Sequence, residues 1–246
     1  MNSARLGLTL CVLLGMRILH AQDLPTSSAI SHDTSYVSCG NKAAISRTMS
    51  SDVFVSPDGK RRAYTRVAAN SVAGRMNAER SSMMCVNNSM LFVKSDTDSF
   101  DLVFLQEATD TENGNSLQIV DWSADSHRLL LELAQWQYDS PGITRSPLVY
   151  QAEVGLFQQP DLGRAFRKQF GMECSLDVHV AGYSGDGKIV IATEPLTPEE
   201  EEVLAVPSCS PKKAQWILSP SSESITQLPE GAKIAHNAKV EPQTAK

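Results

Sequence analysis

No segment beyond the N-terminal region is apolar enough to span a bilayer, which takes about 20 such residues, so no membrane insertion of the mature chain is expected. No basic stripe is present to neutralise phosphates. The chain carries 22 Lys and Arg against 28 Asp and Glu, a formal net charge of -6, which argues against nucleic acid or an anionic membrane as the main partner. There is no Cys-x-x-Cys pair and no clustered histidine, so zinc lacks ligands at its usual spacing and no cofactor is expected. Nucleotide and hydrolase chemistry come closest at one place and fail there. Gly182-Tyr183-Ser184-Gly185-Asp186-Gly187-Lys188 has the spacing of a phosphate loop, but Ile189 stands where Ser or Thr would hold magnesium and Val190-Ile191 continues as a strand. In the same stretch Asp186 occupies the second glycine position of a Gly-x-Ser-x-Gly elbow. No catalytic set remains, and the chain reads as a non-enzyme.

Residues 1–21 have the make-up of a secretory signal. Arg5 supplies the positive start, Leu6 to Met16 an apolar run of about 11 residues, and Ala21 a small residue before a cut. Arg17 interrupts that run, which argues against a membrane anchor. Loss of Arg5 and Arg17 moves the charge from -6 to about -8. The mature chain is expected to be exported, to a periplasm or the cell exterior. Four cysteines remain, Cys39, Cys85, Cys174 and Cys209, and an even count in an exported chain predicts two disulfides with three possible pairings.

What is present is repetition. Val55-Ser56-Pro57-Asp58-Gly59-Lys60, Trp122-Ser123-Ala124-Asp125-Ser126-His127 and Tyr183-Ser184-Gly185-Asp186-Gly187-Lys188 each stand between two apolar stretches, about 67 and 61 residues apart. Each predicts a hairpin turn in which the Asp side chain caps the turn and Gly, where present, supplies a positive φ. Three all-β units follow, at about 50–110, 115–172 and 174–229, within a domain of 37–229. The later strands of the second unit are sought at Pro147 to Tyr150 and near Ala165 to Phe170, and the stretches 68–88 and 135–146 are read as loops. Residues 22–36 form a flexible leader and 230–246 a polar, disordered tail. Thr197-Pro198 followed by Glu199 to Glu202 predicts one short capped surface helix ending before Pro207.

These three motifs resemble the WD40-like repeat of TolB-type β-propellers, most closely over Val53 to Val67. The resemblance covers roughly residues 50–228. It implies an all-β fold of propeller-like repeats, four-stranded antiparallel sheets with the motif at the turn between the first two strands of each. Ser56, Asp58, Gly59, Ser123, Asp125, Ser184, Asp186 and Gly187 then serve the repeat rather than a reaction. Three such sheets leave the ring short, and residues 37–50, a fourth degenerate sheet or a second chain would supply the missing closure. Residues 37–50 are expected to add a strand to the last sheet, or two chains to assemble. The repeat alignment pairs Cys39 with Cys85 and Cys174 with Cys209, each staple contributing roughly 3–4 kcal/mol.

The remaining candidate is Asp177 with His179, half of an acid–base or metal site, against a plain sheet histidine. His127 takes the Lys position of a turn, and His32 and His236 fall in the leader and tail. Asn87-Asn88-Ser89 is a glycosylation sequon, inert in a bacterium. The function expected is a binding module for a protein or cell-envelope component. The alternative is a small periplasmic hydrolase or glycan-acting enzyme with its site at the hub.

Overall fold

The computed structural model describes residues 28–30, 46–73, 83–95, 99–108, 113–137, 142–221 and 223–243. The signal, His32 and Cys39 lie outside them, and the side chain of Cys85 is not described either. The fold is mainly β, in three sheets of which none closes on itself.

The first sheet begins with β1 (Ser28–Ile30), β2 (Ser46–Ser50) and β3 (Val53–Val55), then β4 (Arg62–Ala73), β5 (Met83–Lys94) and β6 (Asp101–Gln106). β2 and β3 lie end to end along one edge of β4, so residues 46–55 act as one interrupted first strand, and β1 runs parallel beside β2. The second sheet is the meander β7 (Asn113–Trp122), β8 (Arg128–Gln137), β9 (Ile143–Gln151) and β10 (Leu156–Gln158). Helix α1 (Leu162–Phe170) leads to the third, with β11 (Asp177–Ser184), β12 (Ile189–Glu194), helix α2 (Pro198–Leu204), β13 (Ala214–Ser219) and β14 (Ser224–Gln227). Two short strands end the described chain, β15 (Ile234–Ala235) and β16 (Lys239–Glu241).

Two apolar layers hold the sheets side by side. Ala63, Leu91 and Val93 of the first meet Leu117, Ile119, Trp122, Leu131 and Leu133 of the second. Leu130 and Val149 of the second meet Val180, Ile191, Trp216 and Leu218 of the third, with Ala165 and Phe166 of α1 closing that layer. Burial of side chains this size is worth about 1.5–3 kcal/mol each. The disulfide Cys174–Cys209 forms at the edge of this second layer, with Cα atoms 4.9 Å apart.

The three motifs fold alike. Val55, Trp122 and Tyr183, each just before the serine, are buried, and the serines are at most 7% exposed. Each serine Oγ donates to the aspartate two residues on, at 2.6, 2.5 and 2.5 Å. The same oxygen accepts the amide that closes the turn, from Arg61, Arg128 and Lys188. Those bonds hold all three carboxyls below the usual range: Ser56 acts first on Asp58, Ser123 on Asp125, and Lys188 with Ser184 on Asp186. The fourth position has a positive φ throughout, 73° at Gly59, 64° at Ser126 and 75° at Gly187. Serine in that region is strained, and Ser126 is compensated by its neighbour. Its Oγ accepts from Asp58 N and its carbonyl from Arg61 Nη1. Arg128 makes the equivalent reach to Gly187 O at 3.2 Å, whereas Lys188 pairs with Asp186 of its own turn.

Several expectations need correction. Residues 162–170 are a helix rather than the fourth strand of the second unit, because Asp161 caps Arg164 N and Leu162, Ala165, Phe166 and Phe170 share one face. The fourth strand is β10. The stretch 68–88 is largely ladder, since β4 and β5 pair from Arg62↔Lys94 to Ala73↔Met83. Likewise β8 continues to Gln137 and β9 starts at Ile143, inside the stretch read as a loop. Residues 46–50 join the first sheet and not the last, and 28–30 of the leader pair with them. The tail is not disordered over 230–243. β15 pairs with β11, and β16 with β3. Asn87 is fully buried, so the sequon offers no acceptor. Helix α2 has the expected cap, Thr197 and Glu200 bonding each other's backbone.

Ser123→Ala removes one bond to a carboxylate and one to a backbone amide at a buried site. It should lower unfolding stability by about 2 kcal/mol in chemical denaturation. A loss under about 0.5 kcal/mol would mean the turn is no more than a surface loop.

Candidate functional site

The turns occupy one end of the sheets. A cleft opens at the opposite end, where β7 begins, β8 ends and β9 begins. Its open lobe, about 480 Å³, is lined by Gln106, Asn115, Gln135, Trp136 and Thr144, with Val203 and Leu204 of α2 on the rim. A narrower lobe of about 160 Å³ continues from it through Gly142, Thr144 and Leu204, between β9, α1 and the start of β11. Leu162, Phe166, Leu176 and Leu196 give that lobe apolar walls, and Arg145, Asp177 and Glu200 are its charged groups.

The indole of Trp136 is placed by an absence. Gly114 stands opposite it in the β7–β8 ladder, and a Cβ on that glycine would stand 2.2 Å from Trp136 Cε2 and Nε1, too close to coexist with the ring. The ring therefore fills the space that a side chain at position 114 would take, an aromatic covering a side-chain gap in a strand. Asn115 beside it is 3% exposed; its Nδ2 donates to Asn87 O at 3.0 Å, across the junction with the first sheet.

A charged cluster lies behind the narrow lobe. Arg145 Nη1 meets Asp177 Oδ1 at 2.8 Å and its Nε approaches Glu132 Oε1 at 3.7 Å. His179, half exposed, stands 3.9 Å from Glu132 and 3.7 Å from Asp177. Glu132 Oε2 also accepts the amide of Val180 at 2.7 Å, tying β8 to the unpaired stretch of β11. Burial raises the Glu132 carboxyl above its ordinary range, and the Val180 amide, His179 and Arg145 offset that only in part. So the Asp177 and His179 of the sequence reading do come together, but with two partners that reading missed. Both had a signal. Glu132 interrupts Leu129-Leu130-Leu131 and Leu133, and a lone carboxylate inside an apolar strand needs a partner.

Chemically the cluster is a closed ion-pair network, with Arg145 bridging two carboxylates. Among the described residues no three His, Cys, Asp or Glu side chains converge as metal ligands. The motif residues Ser56, Asp58, Ser123, Asp125, Ser184 and Asp186 sit at the other end, each serine bonded within its own turn. His127 pairs with Glu153 on that end, and His236 is exposed on the chain between β15 and β16. The cleft's open lobe is the part that remains accessible. No protein-family model matches this chain, and no curated protein matches it.

Glu132 tests the cluster by its pH dependence. A carboxyl raised in the folded state contributes stability that is complete below its ordinary 4.5 and is lost as pH rises through the native value. Glu132→Gln, which keeps an acceptor for Val180 N, should therefore gain stability relative to wild type as pH rises from 4 to 7. Glu132→Ala, which orphans that amide, should cost about 1–3 kcal/mol at both. A Gln variant that loses ground as pH rises would contradict the assignment. Denaturant midpoints at the two pH values measure both.

Proposed function

We propose that this chain is an exported, non-enzymatic binding module built from propeller-like units, and that it receives a cell-envelope component in the cleft opposite its turns. The propeller reading is supported by a run of consecutive antiparallel strands within each of the seven-, four- and five-stranded sheets, with the motif at an early turn of each run. It is supported too by bulges at equivalent places, Val120 and Ala181, three residues before their serines. Export is supported by the Cys174–Cys209 disulfide, which fits an oxidising compartment, and by the signal-like start. Among the described residues no helix is long and apolar enough to cross a membrane.

The observation that carries the function is the open lobe. It is preformed and has the size of a small-ligand site, about 300–1,000 Å³. All of its polar lining side chains except Glu107 are amides or a hydroxyl, which bind by hydrogen bonds and do not exchange protons near neutral pH. The rival reading, an enzyme with its site at the hub, meets an obstacle. The first-strand edges that would line a hub are covered at the turn end by residues 234–241 of the same chain.

Site-specific photocrosslinking distinguishes the two ends. A benzophenone side chain at Gln137, on the lobe, should yield a reproducible adduct in envelope extract, and one at Lys60, on the turn end, should not. Adducts from Lys60 alone, or from neither position, would contradict the proposal.

A further inference from the structure

We propose that the open lobe binds a neutral glycan, with a pyranose ring lying on the Trp136 indole and the surrounding amides holding its hydroxyls. This rests on the cleft being a ligand site and names the class of ligand it takes.

The platform comes first. The indole is seated in the space left by the missing side chain of Gly114, and part of it lines the lobe. An aromatic face is negative, so it attracts the weakly positive C–H groups that cover one face of a pyranose. A ring fixed by its own strand loses little freedom when a ligand lands on it.

The polar lining fits the rest of a sugar. Gln106, Asn115, Gln135 and Gln137 each offer a donor and an acceptor, and Thr144 offers a hydroxyl that does both. Sugar hydroxyls also donate and accept, so adjacent pairs match a planar amide. No Lys or Arg lines the lobe, and Glu107 is its one charged residue. In a chain with a formal charge of -6, that lining disfavours phosphates, sulfates and uronates. The class left is neutral.

A second, independent feature points the same way. Asn115 Oδ1 is a buried acceptor with no hydrogen-bond partner, in a residue that forms part of the lobe wall. An orphaned acceptor of this kind costs about 1–3 kcal/mol, and a ligand hydroxyl arriving directly or through one water relieves it. A peptide is the less suitable occupant. Extended peptides gain affinity from a free sheet edge, whereas β8, which carries Gln135, Trp136 and Gln137, is paired on both edges by β7 and β9.

The test is an array of neutral and anionic oligosaccharides probed with the whole chain, followed by calorimetric titration of the best neutral binder. A neutral gluco-, galacto- or N-acetylglucosamine series should bind. Trp136→Ala should abolish that binding, and Trp136→Phe should retain part of it. Gln135→Ala with Gln137→Ala, both on exposed side chains and so without risk to the fold, should weaken it about ten-fold or more. Binding of no neutral glycan overturns the inference, as does binding that the double variant leaves unchanged. Selective binding of anionic glycans, or of an unglycosylated peptide at Trp136, overturns it too. A blank array with a persistent Gln137 adduct would fail the glycan and leave the binding module standing. Failure of both would remove both.

Discussion

The structure turns on one buried carboxylate. Three sheets arranged side by side without closing leave the free edges of their first strands exposed, a state that natural proteins cover. Here the cover is the chain's own last segment, and Asp121 holds it at the middle sheet. Asp121 is 2% exposed and accepts Asn237 N and Nδ2 and Ala238 N, at 2.8–3.1 Å, besides the adjacent amide of Trp122. Asn237 also donates to Trp122 O, a carbonyl on the free edge of β7. A carboxylate taken out of water costs several kcal/mol, which only such a set of donors offsets. The interaction is therefore strong while complete and costly when broken.

The repeat explains why this segment fits. The residue two before the motif serine is Phe54, Asp121 and Gly182 in the three units, and each meets the strap. Phe54 is opposite Val240, Asp121 holds Asn237, and a Cβ on Gly182 would stand 2.7 Å from Ile234. Gly182 has a φ of 141°, where only glycine sits without strain, so the same position is free of a side chain where the strap runs closest. Around this line the turns interlock through Arg61 and Arg128. Lys188 belongs to a turn one residue shorter and keeps to its own Asp186, so the relay ends at the third unit. With the strand edges at the turn end covered by these contacts, the recessed polar surface of the open lobe lies at the other end.

Much of this was legible in the sequence, and the reason is local. The Ser-x-Asp turns, the cap at Thr197 and the alternating strands around them are encoded within a few residues, so reading those residues is enough. The cysteine pair Cys174–Cys209 followed from equivalent positions in the repeat. What escaped was non-local. Nothing near Asn237 says that its partner is Asp121, although a carboxylate between Val120 and Trp122 was a visible anomaly. Residues 162–170 hid their helix because four apolar residues in nine suit a strand as well, and the Asp161 cap and Gly171 stop were the deciding signals. The groove at Trp136 was beyond reach for the same reason as the strap, since it needs the cross-strand partnership of Gly114 with Trp136. Glu132 was the visible half of a network whose other half, Arg145, stands on another strand.

Native-state hydrogen exchange at Asn237 and Ala238 measures the central claim most directly. If the Asp121 carboxylate pins the strap, both amides exchange slowly in the wild type. In Asp121→Ala they should speed up by about ten- to hundred-fold, since a bond to a charged acceptor contributes about 1.5–3 kcal/mol. Exchange of these two amides at the rate of a free peptide in the wild type would contradict the account, because the last segment would then be an unattached tail and the three first-strand edges would be uncovered.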